Sequence, residues 1–144
     1  MGSMNRIINK VSDNNCELMQ VSTLDNLLIS EKNISLIKID VEGYEKQVLL
    51  GSKEILKNPT LNVIIIELND SNLQYDYNEN ETISIIKENG FSPYKYVYPD
   101  NILVSLEKKN FDSHNTIFIR NINFVKNRIK QKSVVINKNI IELN

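Results

Sequence analysis

The decapeptide at residues 36–45, Leu-Ile-Lys-Ile-Asp-Val-Glu-Gly-Tyr-Glu, constrains the fold of this chain more than any other stretch. Its apolar first half predicts a β-strand, which runs into two carboxylates and a glycine before a helix begins. α/β proteins place acidic side chains in this way at the carboxyl end of a parallel strand, where such sheets bind ligands. The segment therefore predicts an α/β fold with a polar site at one rim of a sheet.

A second strand with a similar ending follows about thirty residues later. Residues 62–68 contain the run Val-Ile-Ile-Ile, which is typical of a strand buried on both faces, and end at Glu67 and Leu68. The intervening helix begins at about Tyr44 and ends before Pro59. Strand, helix and strand together predict a βαβ unit with a parallel sheet. If the strands are neighbours, Asp40, Glu42 and Glu67 share one rim.

The remaining elements are predicted from shorter patterns. They are a strand at 16–21, a short helix with a capping box at Ser22 and Asp25, a helix at 82–89 ended by Gly90, a hairpin of 91–98 with 101–107, a strand at 116–120, a helix at 123–132 and a strand or hairpin at 133–143. We predict one domain over residues 1–144, with an N-terminal extension (1–15), a core (16–120) and a C-terminal helix and strand extension (121–144).

Composition excludes several classes of partner. The net charge of the 144 residues is −1 and both signs are interspersed, so nothing indicates binding to nucleic acid or to an anionic membrane. Cys16 is the one cysteine, so an internal disulfide is excluded and a reducing, cytoplasmic location is expected. One histidine and one cysteine do not make a structural zinc site.

We predict no metal site. A run of acids and amides between strand 62–68 and the next helix imitates the spacing of a calcium loop. Tyr75, however, stands where such a loop requires glycine. The same loop, with Tyr75, is instead a candidate for a substrate-facing lid or a solvated connection.

Four sequence blocks together resemble FkbM-type methyltransferases. They are Val-Ser-Thr-Leu-Asp-Asn-Leu-Leu at 21–28, Lys-Ile-Asp-Val-Glu-Gly-Tyr-Glu at 38–45, Val-Leu-Leu-Gly at 48–51 and Ile-Ile-Glu-Leu at 65–68. Their order and spacing match jointly, which is more specific than any single block. The resemblance covers roughly residues 21–120. It implies an incomplete Rossmann-like methyltransferase fold, with a mainly parallel sheet, an antiparallel edge hairpin and helices on both faces.

The resemblance also implies a chemistry. Such enzymes transfer a methyl group from S-adenosylmethionine to a hydroxyl oxygen, often of a sugar or another small molecule. It assigns Asp40, Glu42 and Glu67 to catalysis, Asp40 and Gly43 to the cofactor, and His114 and Tyr75 to the substrate.

The chain departs from the family in its glycines. The family's cofactor half opens with a glycine-rich turn, whereas the glycines here are Gly2, Gly43, Gly51 and Gly90, no two of which are close enough to form one. The sequence therefore predicts the C-terminal half of the fold and does not predict cofactor binding by this chain alone. An O-methyltransferase, an inactive remnant acting as an assembly or binding module, and a chain completed by a separate polypeptide all remain open.

Loss of the cofactor half predicts an exposed strand edge at residues 36–41. An apolar edge invites pairing, so we expect the strand at 16–21, the tail at 133–143 or a second copy of the chain to cover it.

The candidate acids also have structural interpretations. Asp40 and Glu42 point to opposite faces of a strand unless the chain has already turned into a loop, and either acid could cap the following helix. Lys38 faces the same side as Asp40, which favours a salt bridge. Glu67 is either a site residue or the partner of Lys38 or of backbone N–H groups.

Overall fold

The computed structural model describes residues 19–69, 78–129, 133–136 and 139–142 of the chain. Within them the elements are α1 (Leu24–Leu27), β1 (Leu36–Ile39), α2 (Glu45–Leu50), α3 (Lys53–Lys57), β2 (Val63–Glu67), α4 (Glu79–Glu88), β3 (Ser92–Val97), β4 (Ile102–Ser105), β5 (Asn115–Ile119), α5 (Ile122–Ile129), β6 (Ser133–Ile136) and β7 (Asn139–Glu142).

The predicted parallel pair is confirmed. β1 and β2 are adjacent and parallel, with Leu36 beside Val63 and Ile39 beside Ile66. Their carboxyl ends therefore lie side by side at one rim of the sheet. The α/β class and the βαβ order follow from this pair and the two helices between its strands.

The sheet as a whole is mixed, so the expectation of a mainly parallel sheet is not confirmed. Its order is β1-β2-β5-β3-β4, and only β1 with β2 is a parallel neighbour pair in this five-stranded sheet. The reason is β5, which is antiparallel to both of its neighbours and lies between β2 and β3. The predicted hairpin of β3 and β4 is confirmed at one edge.

One face of the sheet forms the hydrophobic core. Alternation along the paired strands places Ile39, Ile64, Ile66 and Phe118 on that face, all buried. Buried residues of three helices complete the cluster: Leu49 of α2, Ile55 and Leu56 of α3, and Ile86 of α4. Helices α2 to α4 therefore cover this face.

The helix after Tyr44 is shorter than predicted. It breaks at Gly51 and Ser52 into α2 and α3, because Gly51 ends α2 instead of continuing it. A Cβ at Gly51 would lie 3.2 Å from the Thr23 side chain, so the glycine allows close packing against the start of α1. Helix α4 begins at Glu79, three residues earlier than predicted, because the Asn78 side chain accepts a hydrogen bond from the backbone N–H of Asn80.

The outer edge of β1 has no partner strand within the described part of the chain. Residues 19–21 are not in a strand, and the rest of the strand predicted at 16–21 lies outside the described residues. The tail forms the predicted hairpin, β6 with β7, but as a separate two-stranded sheet. Leu36, at this edge, is 50% exposed. In the described ranges, no helix has the length and hydropathy that crossing a membrane requires.

Candidate active site

The turn after β1 brings the first two candidate acids together. β1 ends at Ile39, and Glu42 and Gly43 then adopt positive φ angles of 52° and 98°. The chain has thus left the strand before Glu42, which is why Glu42 does not point to the opposite face from Asp40. Gly43 supplies the conformational freedom that this turn requires, since its φ lies in the region that glycine favours.

The buried carboxylate of Glu45 holds this turn in place. It accepts hydrogen bonds from the backbone N–H of Gly43 at 3.1 Å and of Val41 at 3.3 Å. Glu45 is 4% exposed and begins α2. The N-cap of α2 is Tyr44, whose side chain makes no capping hydrogen bond, so Glu45 stabilises the turn that leads into α2 and does not cap the helix.

Asp40, Glu42 and Glu67 meet at the rim of the sheet. One carboxylate oxygen from each lies within 4.8 Å of the other two. Asp40 is exposed, whereas Glu42 and Glu67 are half-buried. The sequence prediction that these three acids share one rim is confirmed by the parallel register of β1 and β2. Acidic clusters also occur without a bound ion, so the absence of a metal site stays a prediction.

The Asp40 and Glu67 carboxyls have opposite pKa perturbations. The pKa of Asp40 is lowered mainly by the hydrogen bond that Lys38 donates to it, and to a smaller extent by a hydrogen bond with Glu67. The pKa of Glu67 is raised mainly by burial. The hydrogen bond with Asp40 and the negative charge of Asp40 raise it further. One of two close carboxyls therefore stays ionised while the other holds its proton to higher pH.

Lys38 forms the ion pair with Asp40 that the alternation of β1 predicted. Both side chains are about half exposed, and both lie on the sheet face opposite the core. The arrangement puts a carboxylate, a protonatable carboxyl and an ammonium group along one short stretch of the rim.

An open cleft of about 550 Å³ adjoins Glu67. Its walls are Glu67, Leu68 and the loop of residues 109–115 that precedes and enters β5. His114 lines this cleft, and its backbone carbonyl accepts a hydrogen bond of 2.8 Å from the N–H of Leu68. The charge of His114 acts to lower the pKa of Glu67. The structure thus brings His114 to the rim, while Tyr75 lies outside the described residues.

Sequence reasoning missed Lys109, which anchors the cleft loop. Its ammonium pairs with Glu79 of α4 at 2.6 Å, and both side chains are less than 20% exposed. It also donates to the carbonyl of Leu68 at 3.3 Å. These partners are 30 and 41 residues away in the sequence, so no local pattern could have indicated them.

A comparison of the whole sequence with models of protein families identifies the family of this chain. A model of the methyltransferase FkbM domain matches residues 6–93, more than half of the chain. The chain belongs to the FkbM methyltransferase family. The FkbM match contains β1, β2 and α4, and hence Asp40, Glu42, Gly43 and Glu67, whereas His114 lies beyond it. No curated protein and no solved structure matches the chain significantly.

Proposed function

We propose that this chain is the acceptor-side half of an S-adenosylmethionine-dependent O-methyltransferase that acts on a hydroxyl of a small molecule or sugar. The observation that supports this most is the meeting of Asp40, Glu42 and Glu67 at the carboxyl ends of two adjacent parallel strands. All three lie in the part of the chain that matches the FkbM methyltransferase domain.

The proposed roles follow from charge and position. Asp40, kept ionised, takes the proton of the acceptor hydroxyl and also faces the cofactor, while Glu67 and Glu42 assist it. Gly43 lets the backbone approach the cofactor, since glycine has no side chain to keep a ligand away. His114, beside Glu67 in the cleft, binds the acceptor, and Tyr75 is proposed to do the same.

The residues present fit the cofactor only in part. The rim offers carboxylates, but Gly43 stands alone in its turn, and the 144 residues contain no glycine-rich turn to receive a nucleotide. When bound, S-adenosylmethionine would supply an electrophilic methyl group. We propose that the cradle for its adenosyl group comes from other residues, for example a separate polypeptide, and that this chain alone is incomplete.

The second candidate function is an inactive remnant that acts as an assembly or binding module. The missing glycine-rich turn favours it, and so does the bare edge of β1 in the described residues. It makes no demand on the ionisation of Asp40 and Glu67.

Isothermal titration calorimetry with S-adenosylhomocysteine separates the two. Saturable binding with a dissociation constant of about 1 μM or tighter, lost in Asp40→Asn, supports an enzyme that binds cofactor through this rim. Glu88→Gln, at an exposed carboxylate on α4, is the control and should leave the heat unchanged. No heat at about 1 mM ligand would contradict binding by this chain alone. Heat that appears only when the glycine-rich half of the fold is added would then support the enzyme, and no heat with that half present would favour the remnant.

We also propose that the chain pairs with a second copy of itself through the outer edge of β1. The half-exposed Leu36 and the absence of a covering strand in the described residues support a homodimer there. A cytoplasmic location is proposed from the single cysteine, Cys16.

A further inference from the structure

Lys38 is paired with only one of the two carboxyls in the Asp40–Glu67 pair. Lys38 lies two residues before Asp40 on β1, and its ammonium forms an ion pair with the Asp40 carboxylate. On the neighbouring strand, Lys38 lies beside Ile65, two residues before Glu67. The register therefore places the ammonium beside one carboxyl of the pair and an apolar side chain before the other.

We propose that Lys38 is a positioning residue, whose ion pair keeps Asp40 ionised and so places the proton shared by Asp40 and Glu67 on Glu67. Its catalytic meaning rests on the proposed methyltransferase function. The location of the proton on Glu67 is independent of that function and can be measured in a protein that has no activity.

The other charged groups around the pair act on Glu67 in opposite directions or are already engaged elsewhere. Glu42, from the turn after β1, adds negative charge that raises the pKa of Glu67, while His114 from the cleft loop lowers it. Glu45 of α2 accepts backbone hydrogen bonds within the turn. On α4, Glu81 is paired with Lys46 at 2.6 Å.

Burial adds to this asymmetry. Asp40 is exposed and Glu67 is half-buried, so the ionised form is favoured at Asp40 and disfavoured at Glu67. The hydrogen bond of Lys38 is the largest cause of the lowered pKa of Asp40. Removal of the lysine should thus shift the proton towards Asp40.

The consequence is a rim with two different carboxyl groups. At a pH between the two titration steps of the pair, ionised Asp40 can accept a proton from an acceptor hydroxyl, and neutral Glu67 can donate a hydrogen bond to an acceptor oxygen. Without Lys38 the two carboxyls would share one proton more evenly, and neither role would be fixed.

A carbon-detected NMR titration of the carboxyl groups tests the proposal in the wild-type protein. We expect the Glu67 carboxyl carbon to show most of its chemical-shift change in the upper titration step of the pair, and the Asp40 carbon in the lower step. The opposite assignment in the wild type would overturn the proposal, whatever the variants do.

Substitutions then test the role of the lysine. In Lys38→Met, Asp40 should take a larger share of the upper step, whereas Lys38→Arg should keep the wild-type curves because it retains the charge. Lys57→Met is the matched control, since Lys57 is an exposed lysine paired with Glu54 on α3 and should leave both carboxyl curves unchanged. Unchanged curves in a folded Lys38→Met protein would refute the positioning role.

Glu67→Gln covers the case in which Lys38→Met does not fold. With an amide at position 67, Asp40 should titrate in one step, and two steps would show that its partner is another group. The titrations need neither cofactor nor acceptor. An absence of methyl transfer even when the rest of the fold is supplied would refute the proposed function and leave these titrations standing, so the two failures are distinguishable.

Discussion

At the scale of single residues, Arg120 contributes more contacts to the fold than its position after β5 suggests. Its guanidinium donates hydrogen bonds to four backbone carbonyls and lies 4.2 Å from the Phe91 ring centroid. The acceptors are the carbonyls of Leu56, Asn58, Leu61 and Asn89. One side chain thus ties the end of β5 to the segments that precede β2 and β3.

We predict that Arg120→Met lowers the free energy of unfolding by about 2–4 kcal/mol, because several carbonyls lose their donor. Arg120→Lys should lower the free energy of unfolding by less than Arg120→Met, because the ammonium group still donates to some of these carbonyls. It should still be less stable than wild type, because three donors cannot reproduce the planar guanidinium. Urea denaturation measures both. Arg128→Met is the control at an exposed arginine on α5, with an expected change within about 0.5 kcal/mol. Equal effects at the two arginines would contradict this account.

The carboxyl pair makes a prediction about pH. The pKa of Glu67 is raised in the folded state above its ordinary value of 4.5, so the proton is bound more tightly by the folded than by the unfolded chain. The resulting stabilisation is complete below the unfolded pKa and is lost as pH rises through the folded pKa. Glu67→Gln lacks this pH-dependent contribution, so its stability relative to wild type should increase as the pH rises from about 4 through the raised pKa of Glu67.

Urea midpoints of both proteins across that range measure the effect. Glu88→Gln removes an exposed carboxylate elsewhere and controls for general charge effects. If Glu67→Gln and Glu88→Gln show the same pH dependence, the rim does not perturb Glu67.

Which single residues the sequence predicts depends on how local their chemistry is. Asp40, Glu42, Gly43 and Glu67 stand in a strand-to-turn pattern that can be recognised within ten residues, and the structure brings the three acids together. Arg120 could not be found in this way, since its acceptors lie 31 to 64 residues away.

At the scale of elements, Asp25 caps a different helix from the one that the local sequence pattern predicts. We predicted that Ser22 and Asp25 cap α1. Instead Thr23 is the N-cap and accepts from the backbone N–H of Asn26 at 3.2 Å. The Asp25 carboxylate accepts from the backbone N–H groups of Glu54 and Ile55, at 3.1 and 3.0 Å, and so caps α3.

We therefore predict that Asp25→Ala lowers the free energy of unfolding by about 1–2 kcal/mol, because α3 loses its side-chain cap. Asp25→Asn should retain part of it, since an amide oxygen still accepts. Asn26→Ala, at the exposed neighbouring position, is the control and should change stability by less than about 0.5 kcal/mol. Thermal unfolding followed by circular dichroism measures all three. A small loss in Asp25→Ala would show that α3 does not need this cap.

The elements themselves were predictable where periodicity decides and turn chemistry is local. β1, β2, the β3–β4 hairpin and β5 follow from apolar runs and turn residues, and Gly90 ends the helical region at φ 85° as expected. The division of one long helix into α2 and α3 was not predictable, because it depends on the contact of Gly51 with Thr23.

At the scale of the whole molecule, the order of strands depends on contacts that no local pattern records. β5 follows β3 and β4 in the chain but lies between β2 and β3 in the sheet. Its register pairs Phe118 with both Ile64 and Pro93. This insertion makes the sheet mixed, and it also carries the loop of residues 109–115 to Glu67, which creates the cleft.

The two outer edges of the five-stranded sheet provide a matched test of the proposed homodimer. β1 and β4 are its edge strands, and Leu36 and Ile102 on them are both 50% exposed. A lysine on a paired edge opposes association through charge and lost apolar contact. We expect Leu36→Lys to weaken dimerisation by about tenfold or more, equivalent to about 1.4 kcal/mol, and Ile102→Lys to leave it unchanged.

Sedimentation equilibrium over a range of protein concentrations measures both constants. A wild-type protein that stays monomeric at about 100 μM would exclude a homodimer of any useful affinity. Weakening by Ile102→Lys alone would move the interface to β4. β1 also carries Lys38, and Asp40 follows it at the rim of the sheet. If β1 of one copy pairs with β1 of the other, the dimer interface therefore lies next to the candidate sites of both copies.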